Sequence, residues 1–305
     1  MKVAALDLGT NSFLCLIAQS SNEQKSEFSE VEVLYDESII TRLGQSVQKK
    51  GLLSKEALLR AAQAFSKFQE NIKAHNVQEV MAVTTSAARD AENFEELRKI
   101  GEEYGIPIKV IPGEEEAELS FSGAIPNIER KESLLIDIGG GSTELAYFDG
   151  DDFVLKSLPL GSVRLGEMFV EEWSELDLTS LKKVEDQIVK TLELTFGSSR
   201  PPVKNWVAVA GTPTTLKAIQ NGEFVSEDIE NSHLKQHEVK EMVLKLIDLS
   251  LIERRKVPGL ESKRADVIPV GAKILETLMH WCQVDEVKVS TKGLRYGLAK
   301  RLLDA

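Results

Sequence analysis

Residues Leu134 to Glu144 read "LLIDIGGGSTE", and residues Ala5 to Phe13 read "ALDLGTNSF". Both contain Asp-x-Gly-x-x-Ser: Asp7, Gly9 and Ser12 are answered by Asp137, Gly139 and Ser142, 130 positions later. Each copy is entered by an apolar, strand-like run and left by another. A loop of this composition bends sharply and brings several backbone N–H groups against one anion, so the repeated element points to phosphate.

Around the two loops the pattern extends outward. "KVAALDLG", "FLCLIAQ" and "EVEVLYD" read as three successive strands of an antiparallel meander. Ser54 is placed to cap a helix whose Leu58, Ala61, Ala62, Phe65 and Phe68 share one face. "VQEVMAVTTSAARD" returns as a strand ending in a hydroxyl-rich loop. Asn93 with Glu96 resembles a capping box opening the next helix, which Gly105 and Pro107 close. A helix over Glu114 to Gly123 ends this pass. From "ESLLIDIGG" the order repeats, with "TELAYFDGDDFVLKSLPLG" giving two strands around a turn at Asp149 to Asp152. Two related units are expected, placed so that both loops line one cleft.

Composition sets the bounds. The chain has 305 residues, 42% hydrophobic and 28% charged, the balance of a globular protein with a substantial core. The apolar start before Asp7 is too short for a signal peptide and no run approaches a membrane span, so a cytoplasmic protein without a membrane partner is expected. Cys15 and Cys282 lack any partner spacing and read as reduced thiols. Any metal would therefore be held by oxygen. A net charge of −12 argues against a nucleic-acid partner and requires a local site for any polyanion.

The residues of the two loops suit phosphate chemistry. Gly139, Gly140 and Gly141 let the backbone approach an anion, and Ser142 and Thr143 add hydroxyl donors. Asp137 and Glu144 flank that loop, where carboxylates suit Mg²⁺, directly or through water, with Mn²⁺ as the alternative. Gly9, Thr10, Asn11 and Ser12 offer donors from the first loop, with Asp7 as a third acid for the metal.

The ordered segments "DLGTNS" (Asp7–Ser12), "TSAARDAEN" (Thr85–Asn93), "VIPGEEEAELSFSGA" (Val110–Ala124), "DIGGGSTE" (Asp137–Glu144), "LPLGSVRL" (Leu158–Leu165), "AGTPTTL" (Ala210–Leu216), "RADVIPVGAKIL" (Arg264–Leu275) and "GLRYGL" (Gly293–Leu298) span nearly the whole chain. Together they resemble the exopolyphosphatase and guanosine pentaphosphate phosphohydrolase (Ppx/GppA) family of the actin-like, Hsp70 and sugar-kinase superfamily. The resemblance implies an α/β protein of two ribonuclease-H-like domains, 1–124 and 125–295, whose mixed sheets flank a central cleft, with a C-terminal helix at 296–305 returning to the first domain. It implies hydrolysis of a terminal phosphoanhydride, with inorganic polyphosphate as first substrate and guanosine pentaphosphate as second, and leaves a homodimer open.

The resemblance also assigns roles. The general base falls on Glu116, the Glu before Ala117, with Glu115 as the neighbouring alternative, and Arg89 falls on a phosphate contact. Arg164 suits a substrate contact and a structural ion pair equally, Arg264 is read as a structural ion pair, His233 and His237 as a solvated helix start, and "ERRK" at Glu253 to Lys256 as a charged helix end that could support a long polyphosphate. Thr10 stands where the family often has Ser, and Tyr296 where it often has Glu. The chain stops soon after "GLRYGLAKRLLDA", without the further helical region of long family members, from which a preference for short polyphosphate is expected. The opposed class is a non-hydrolytic nucleotide-binding module, which "AGTPTTL" would serve.

Overall fold

The computed structural model describes residues 1–20 and 31–305, and divides into two compact units: 1–128 with 293–305, and 129–292. In the first unit the order is β1 (Lys2–Leu8), β2 (Ser12–Ser20), β3 (Val31–Ile40), α1 (Val47–Lys50), α2 (Lys55–Ala74), β4 (Glu79–Thr84), α3 (Ser86–Asp90), α4 (Phe94–Glu103), β5 (Ile108–Val110) and α5 (Gly113–Ala124). Its sheet runs β3-β2-β1-β4-β5, with β2 antiparallel to β1 and β3, and β4 parallel to β1 and β5. This is the ribonuclease-H-like arrangement.

The second unit contains β6 (Ser133–Ile138), β7 (Thr143–Asp149), β8 (Asp152–Leu158), α6 (Ser162–Phe169), α7 (Leu178–Phe196), β9 (Asn205–Val209), α8 (Gly211–Asn221), α9 (Ser226–Ile229), β10 (His233–Lys235), α10 (Gln236–Asp248), α11 (Leu251–Arg254), α12 (Ile268–Cys282) and β11 (Glu286–Val289). Its sheet, β10-β11-β9-β6-β7-β8, repeats the first order and adds β10 as an antiparallel edge. The final helix, α13 (Leu294–Asp304), belongs to the first unit.

Local chemistry explains the frame. β1 and β6 are central strands covered on both faces, so Val3 to Leu6 and Leu134 to Ile136 are fully buried runs rather than alternating ones. Ser54 caps α2, accepting from the Ala57 N–H at 3.1 Å, and α2 buries Leu58, Ala61, Phe65 and Phe68 against the sheet. The other face of the first sheet is covered by α5 and α13. These helices cross so closely that a Cβ on Gly297 would overlap the Leu119 carbonyl, and one on Gly123 the Gly293 carbonyl.

The expected capping box at Asn93 does not form in that way. The Asn93 amide instead accepts from the Leu53 N–H at 2.8 Å and donates to the Leu53 carbonyl at 3.1 Å, tying the start of α4 to the segment before α2. The side chain was drawn to a buried backbone pair that only tertiary contact supplies. His233 and His237 are also not helical neighbours: His233 lies in β10 and His237 in α10.

Candidate active site

The two Asp-Gly loops have the same construction. In each, the glycine N–H closes a tight turn onto the serine carbonyl at 3.0 Å: Gly9 to Ser12 and Gly139 to Ser142. Antiparallel pairing sets what flanks the turn. Asp7 faces Leu14 across β1 and β2, whereas Asp137 faces Glu144 across β6 and β7. The repeat therefore supplies one acid at the first loop and a pair at the second.

That pair is graded by depth. Asp137 is 8% exposed and Glu144 0%, and Ser157 Oγ on β8 donates to Glu144 Oε1 at 2.7 Å. Ser157 lies opposite Glu144 because the hairpin closes at Asp149–Asp152 and the register counts outward from there. That partner escaped the sequence reading, although the same count was available from the turn. The glycine loop is clasped from behind. Val163 and Arg164 donate their amides to the Gly140 carbonyl at 2.8 and 3.0 Å, Arg164 Nε donates to the Gly141 carbonyl at 2.6 Å, and Thr143 Oγ1 donates to the Leu160 carbonyl. A Cβ on Gly161 would overlap the Gly140 carbonyl, so this approach requires glycine. Arg164 thus holds the loop itself.

In the first unit, α5 carries four glutamates near its start, and the structure separates the two that compete for the role of base. Glu115 is ion-paired with Lys109 at 3.1 Å and Arg301 at 2.7 Å; burial pushes its carboxyl up, but these cations outweigh it and hold it below its ordinary value. Glu116 is 8% exposed, and Arg89 Nη1 donates to its Oε2 at 3.2 Å. The same Nη1 donates to the Ile111 carbonyl at 2.8 Å. Arg89 closes the short helix α3, which follows β4 directly, so consecutive turns after neighbouring strands bring it and Glu116 together.

Of the remaining charged residues, Arg264 pairs with Glu261 at 3.6 Å and lies against Gly211, where a Cβ would overlap its guanidinium. Arg254 of the "ERRK" segment is 1% exposed and donates to the Ala265 carbonyl at 3.2 Å, so it is an interior residue and offers no surface for polyphosphate. Tyr296 donates its hydroxyl to Asp36 at 3.0 Å, and Arg295 grips both oxygens of the same carboxylate at 2.8 Å.

The donor set fits a hard cation in a particular way. Among the described residues no group of three or more His, Cys, Asp or Glu side chains is arranged to hold a metal alone. Asp137, backed by Glu144, supplies oxygen only, and Mg²⁺ commonly takes one or two carboxylates and completes its shell with water and substrate phosphate. Asp7, the acid of the first loop, is half-buried near the end of β1.

Duplicated ribonuclease-H-like units, glycine loops flanked by acids and a buried glutamate on an arginine define a phosphatase of the actin-like class. A family model described as the Ppx/GppA phosphatase family matches residues 16–305. The chain belongs to the Ppx/GppA phosphatase family and is a phosphoanhydride hydrolase, which removes the non-hydrolytic module. It is 30% identical to exopolyphosphatase 2 of Mycobacterium tuberculosis, with 99% of this chain and 98% of the relative covered. It is 32% identical to a bifunctional 3-dehydroquinate synthase/phosphatase of Fusobacterium nucleatum, covering 94% of this chain but only 44% of that protein. Among solved structures, an exopolyphosphatase from Cytophaga hutchinsonii aligns with a TM-score of 0.86 at 28% identity, covering 100% of this chain and 98% of that one. A Ppx/GppA enzyme from Aquifex aeolicus aligns at 0.78 and 27% identity, covering 100% and 99%.

Proposed function

We propose that this protein is an exopolyphosphatase that hydrolyses the terminal phosphoanhydride of inorganic polyphosphate, with guanosine pentaphosphate as its alternative substrate. The observation that carries the reading is the buried Glu116 carboxylate on Arg89. Hydrolysis of a phosphoanhydride needs one group to orient and deprotonate water in line with the leaving oxygen, and a fixed carboxylate shielded from bulk solvent suits that task. The bond from water oxygen to the terminal phosphorus forms, the bond from phosphorus to the bridging oxygen breaks, and the shortened chain leaves with that electron pair. The water proton passes to Glu116.

Arg89 keeps the carboxylate in place and presents its remaining guanidinium donors to phosphate oxygens, which a planar fork matches well. In the second unit Gly139, Gly140, Gly141, Ser142 and Thr143 offer backbone and hydroxyl donors to phosphate; in the first, Gly9, Thr10, Asn11 and Ser12 do so. Asp137, with Glu144 behind it, is proposed to hold Mg²⁺ or Mn²⁺, which when bound would neutralise charge developing on the phosphate oxygens. No helix among the described residues is long and apolar enough to cross a membrane, and we place the enzyme in the cytoplasm, where its polyanionic substrates are met.

Supporting this reading are the family, the two glycine loops and the mycobacterial and Cytophaga relatives named as exopolyphosphatases. The test is orthophosphate release measured in parallel from short polyphosphate, long polyphosphate, guanosine pentaphosphate and ATP, with and without Mg²⁺. Metal-dependent release from polyphosphate is expected. Turnover of guanosine pentaphosphate alone would transfer the assignment to the alternative.

A further inference from the structure

The segment Thr41 to Ser46, "TRLGQS", joins β3 to α1 and lies along the back of the first Asp-Gly loop. Gly44 N–H donates to the Thr10 carbonyl at 2.8 Å, and the amides of Thr41 and Arg42 donate to the Asn11 carbonyl at 3.1 and 2.8 Å. In a planar trans peptide the C=O and the N–H point in opposite directions. Drawing the Thr10 carbonyl back onto Gly44 therefore turns the Asn11 N–H away from the segment, as a donor for an anion. A flipped peptide would present a carbonyl oxygen there and repel phosphate. A Cβ on Gly44 would overlap the Thr10 methyl and lie 3.2 Å from the Ala87 Cβ of α3, so the segment is wedged between the loop and the helix that carries Arg89.

The second unit builds its loop in the same way. Thr10 and Asn11 correspond to Gly140 and Gly141 in the 130-residue repeat. There the Val163 and Arg164 amides tie back the Gly140 carbonyl, and Arg164 Nε ties back that of Gly141 at 2.6 Å. The equivalent carbonyls are thus held from behind in both units, and in the second a guanidinium completes the hold. In the first unit a guanidinium arrives from α2, one peptide further back: Arg60 Nε donates to the Thr41 carbonyl at 2.5 Å, and its Nη2 donates to the Arg42 carbonyl at 3.3 Å and to Gln45 Oε1 at 3.1 Å. All three acceptors are neutral. The Thr41 carbonyl and the Arg42 amide belong to one peptide group, so hydrogen bonds run from Arg60 through that group to the Asn11 carbonyl, and a charged donor at the head of such a chain polarises the bonds that follow. Within the segment Arg42 and Ser46 adopt φ 50° and 66°, left-handed conformations for residues with a Cβ, which persist only where surrounding contacts over-determine them. Arg60 supplies such contacts from outside the segment.

We propose that Arg60 is a positioning residue for the reaction: by bracing the Thr41–Ser46 segment it keeps the first loop in the conformation that presents backbone N–H groups to substrate phosphate. The inference rests on the phosphoanhydride reading of the site. Arg60 reaches the loop through the peptide of Thr41 and Arg42, so it acts on substrate indirectly. The packing of α2 is carried by Leu58, Ala61, Phe65 and Phe68, so loss of the Arg60 side chain should loosen the loop more than the helix.

The experiment is steady-state phosphate release by the wild type, Arg60→Ala, Arg60→Lys and Ser54→Ala on tripolyphosphate, long polyphosphate and guanosine pentaphosphate, beside thermal melts. In Arg60→Ala, KM on the substrate that the wild type hydrolyses should rise on the order of tenfold, the loss expected when a backbone hydrogen bond to phosphate is misplaced, with a smaller fall in kcat. Arg60→Lys keeps the charge but not the fork and should recover part of that loss. Ser54→Ala removes the cap of the same helix without touching the segment, so it should lower the melting temperature and leave KM at the wild-type value. A wild-type KM in Arg60→Ala overturns the proposal and leaves the enzyme's function intact. An equal rise of KM in Ser54→Ala also overturns it, because the effect would then belong to the stability of α2. Should Arg60→Ala not fold, Arg60→Lys decides: a KM several-fold above wild type upholds the proposal and a wild-type KM overturns it. If the wild type hydrolyses guanosine pentaphosphate and not polyphosphate, the polyphosphate reading alone fails, and KM on guanosine pentaphosphate decides the role of Arg60. No release from any of the three overturns both.

Discussion

Arg89 Nη1 donates to Oε2 of Glu116 at 3.2 Å and, from the same nitrogen, to the Ile111 carbonyl at 2.8 Å. One atom thus anchors the guanidinium to the strand end and the carboxylate to the guanidinium. Glu116 is held in the first turn of α5 by a contact that Glu115, one residue away, does not share.

Glu116→Gln keeps the size of the side chain and removes the proposed base, so kcat should fall by roughly 10² to 10⁴ while substrate still binds. Glu115→Gln should stay near wild type, because partly exposed pairs with Lys109 and Arg301 contribute at most about 1 kcal/mol. Single-turnover phosphate release on both variants checks this. Full activity in Glu116→Gln with loss in Glu115→Gln would reverse the assignment. In Arg89→Ala the loss should fall mainly on KM, and the same assay, run as a substrate titration, measures it.

The two acids of the second unit should respond differently to Mg²⁺. Asp137→Asn removes the more accessible oxygen donor and should raise the Mg²⁺ concentration for half-maximal activity by about tenfold or more. Glu144→Gln alters a fully buried carboxylate that accepts from Ser157, so a smaller rise in metal requirement should be joined by a lower melting temperature. Metal titrations of both variants beside thermal melts separate these effects. An unchanged Mg²⁺ requirement in both would remove them from the metal site.

Both cysteines should be unreactive in the folded protein. Burial pushes the Cys15 thiol up to about 12, assisted by the charges of Asp36 and Glu37, and pushes Cys282 up to about 12 as well. Since the thiolate is the nucleophile, a maleimide at pH 8 should label neither until denaturant is added. The linkage has a sign. Between the ordinary thiol value near 9 and 12 the folded state holds protons that the unfolded state has lost, so stability should fall as pH rises through that window. Denaturant melts at pH 8, 9.5 and 11 measure it; constant stability across that range would contradict the burial of these thiols.

Gly297→Ala places a methyl group against the Leu119 carbonyl where α13 crosses α5. Overpacking of this kind costs about 1–3 kcal/mol. Because α5 carries Glu116 in its first turn, the variant should lose both melting temperature and kcat. Loss of stability with unchanged kcat would show that the α5–α13 crossing does not position the base.

Much of the architecture was legible in the chain. The 130-residue repeat of Asp-x-Gly-x-x-Ser announced two related units, because a tight turn between an entering and a leaving strand is written in neighbouring residues. The three-strand meanders, the Ser54 cap and the long α5 followed from periodicity and turn chemistry for the same reason. Where the reading went astray, the competing partner was distant in sequence. Asn93 spends its amide on Leu53, forty residues earlier, and Arg254 turns inward to Ala265, which no local pattern of charge discloses.

By itself, then, the sequence determined the duplicated fold, the two phosphate-type loops and the short list of acids around them, since each of these is fixed by spacing along one segment. It could not choose between Glu115 and Glu116, which are equally acidic and adjacent. Only the tertiary structure tells them apart, by turning one toward Lys109 and Arg301 at the surface and the other inward to Arg89. Likewise the grading of Asp137 above Glu144, and the hold of Arg60 on the Thr41 carbonyl, arise from cross-strand register and helix packing. The physical reason is common to all three: burial and charge pairing belong to residues that meet in space, and the helical turn and strand pairing that decide which of two neighbours faces inward are set by partners far along the chain.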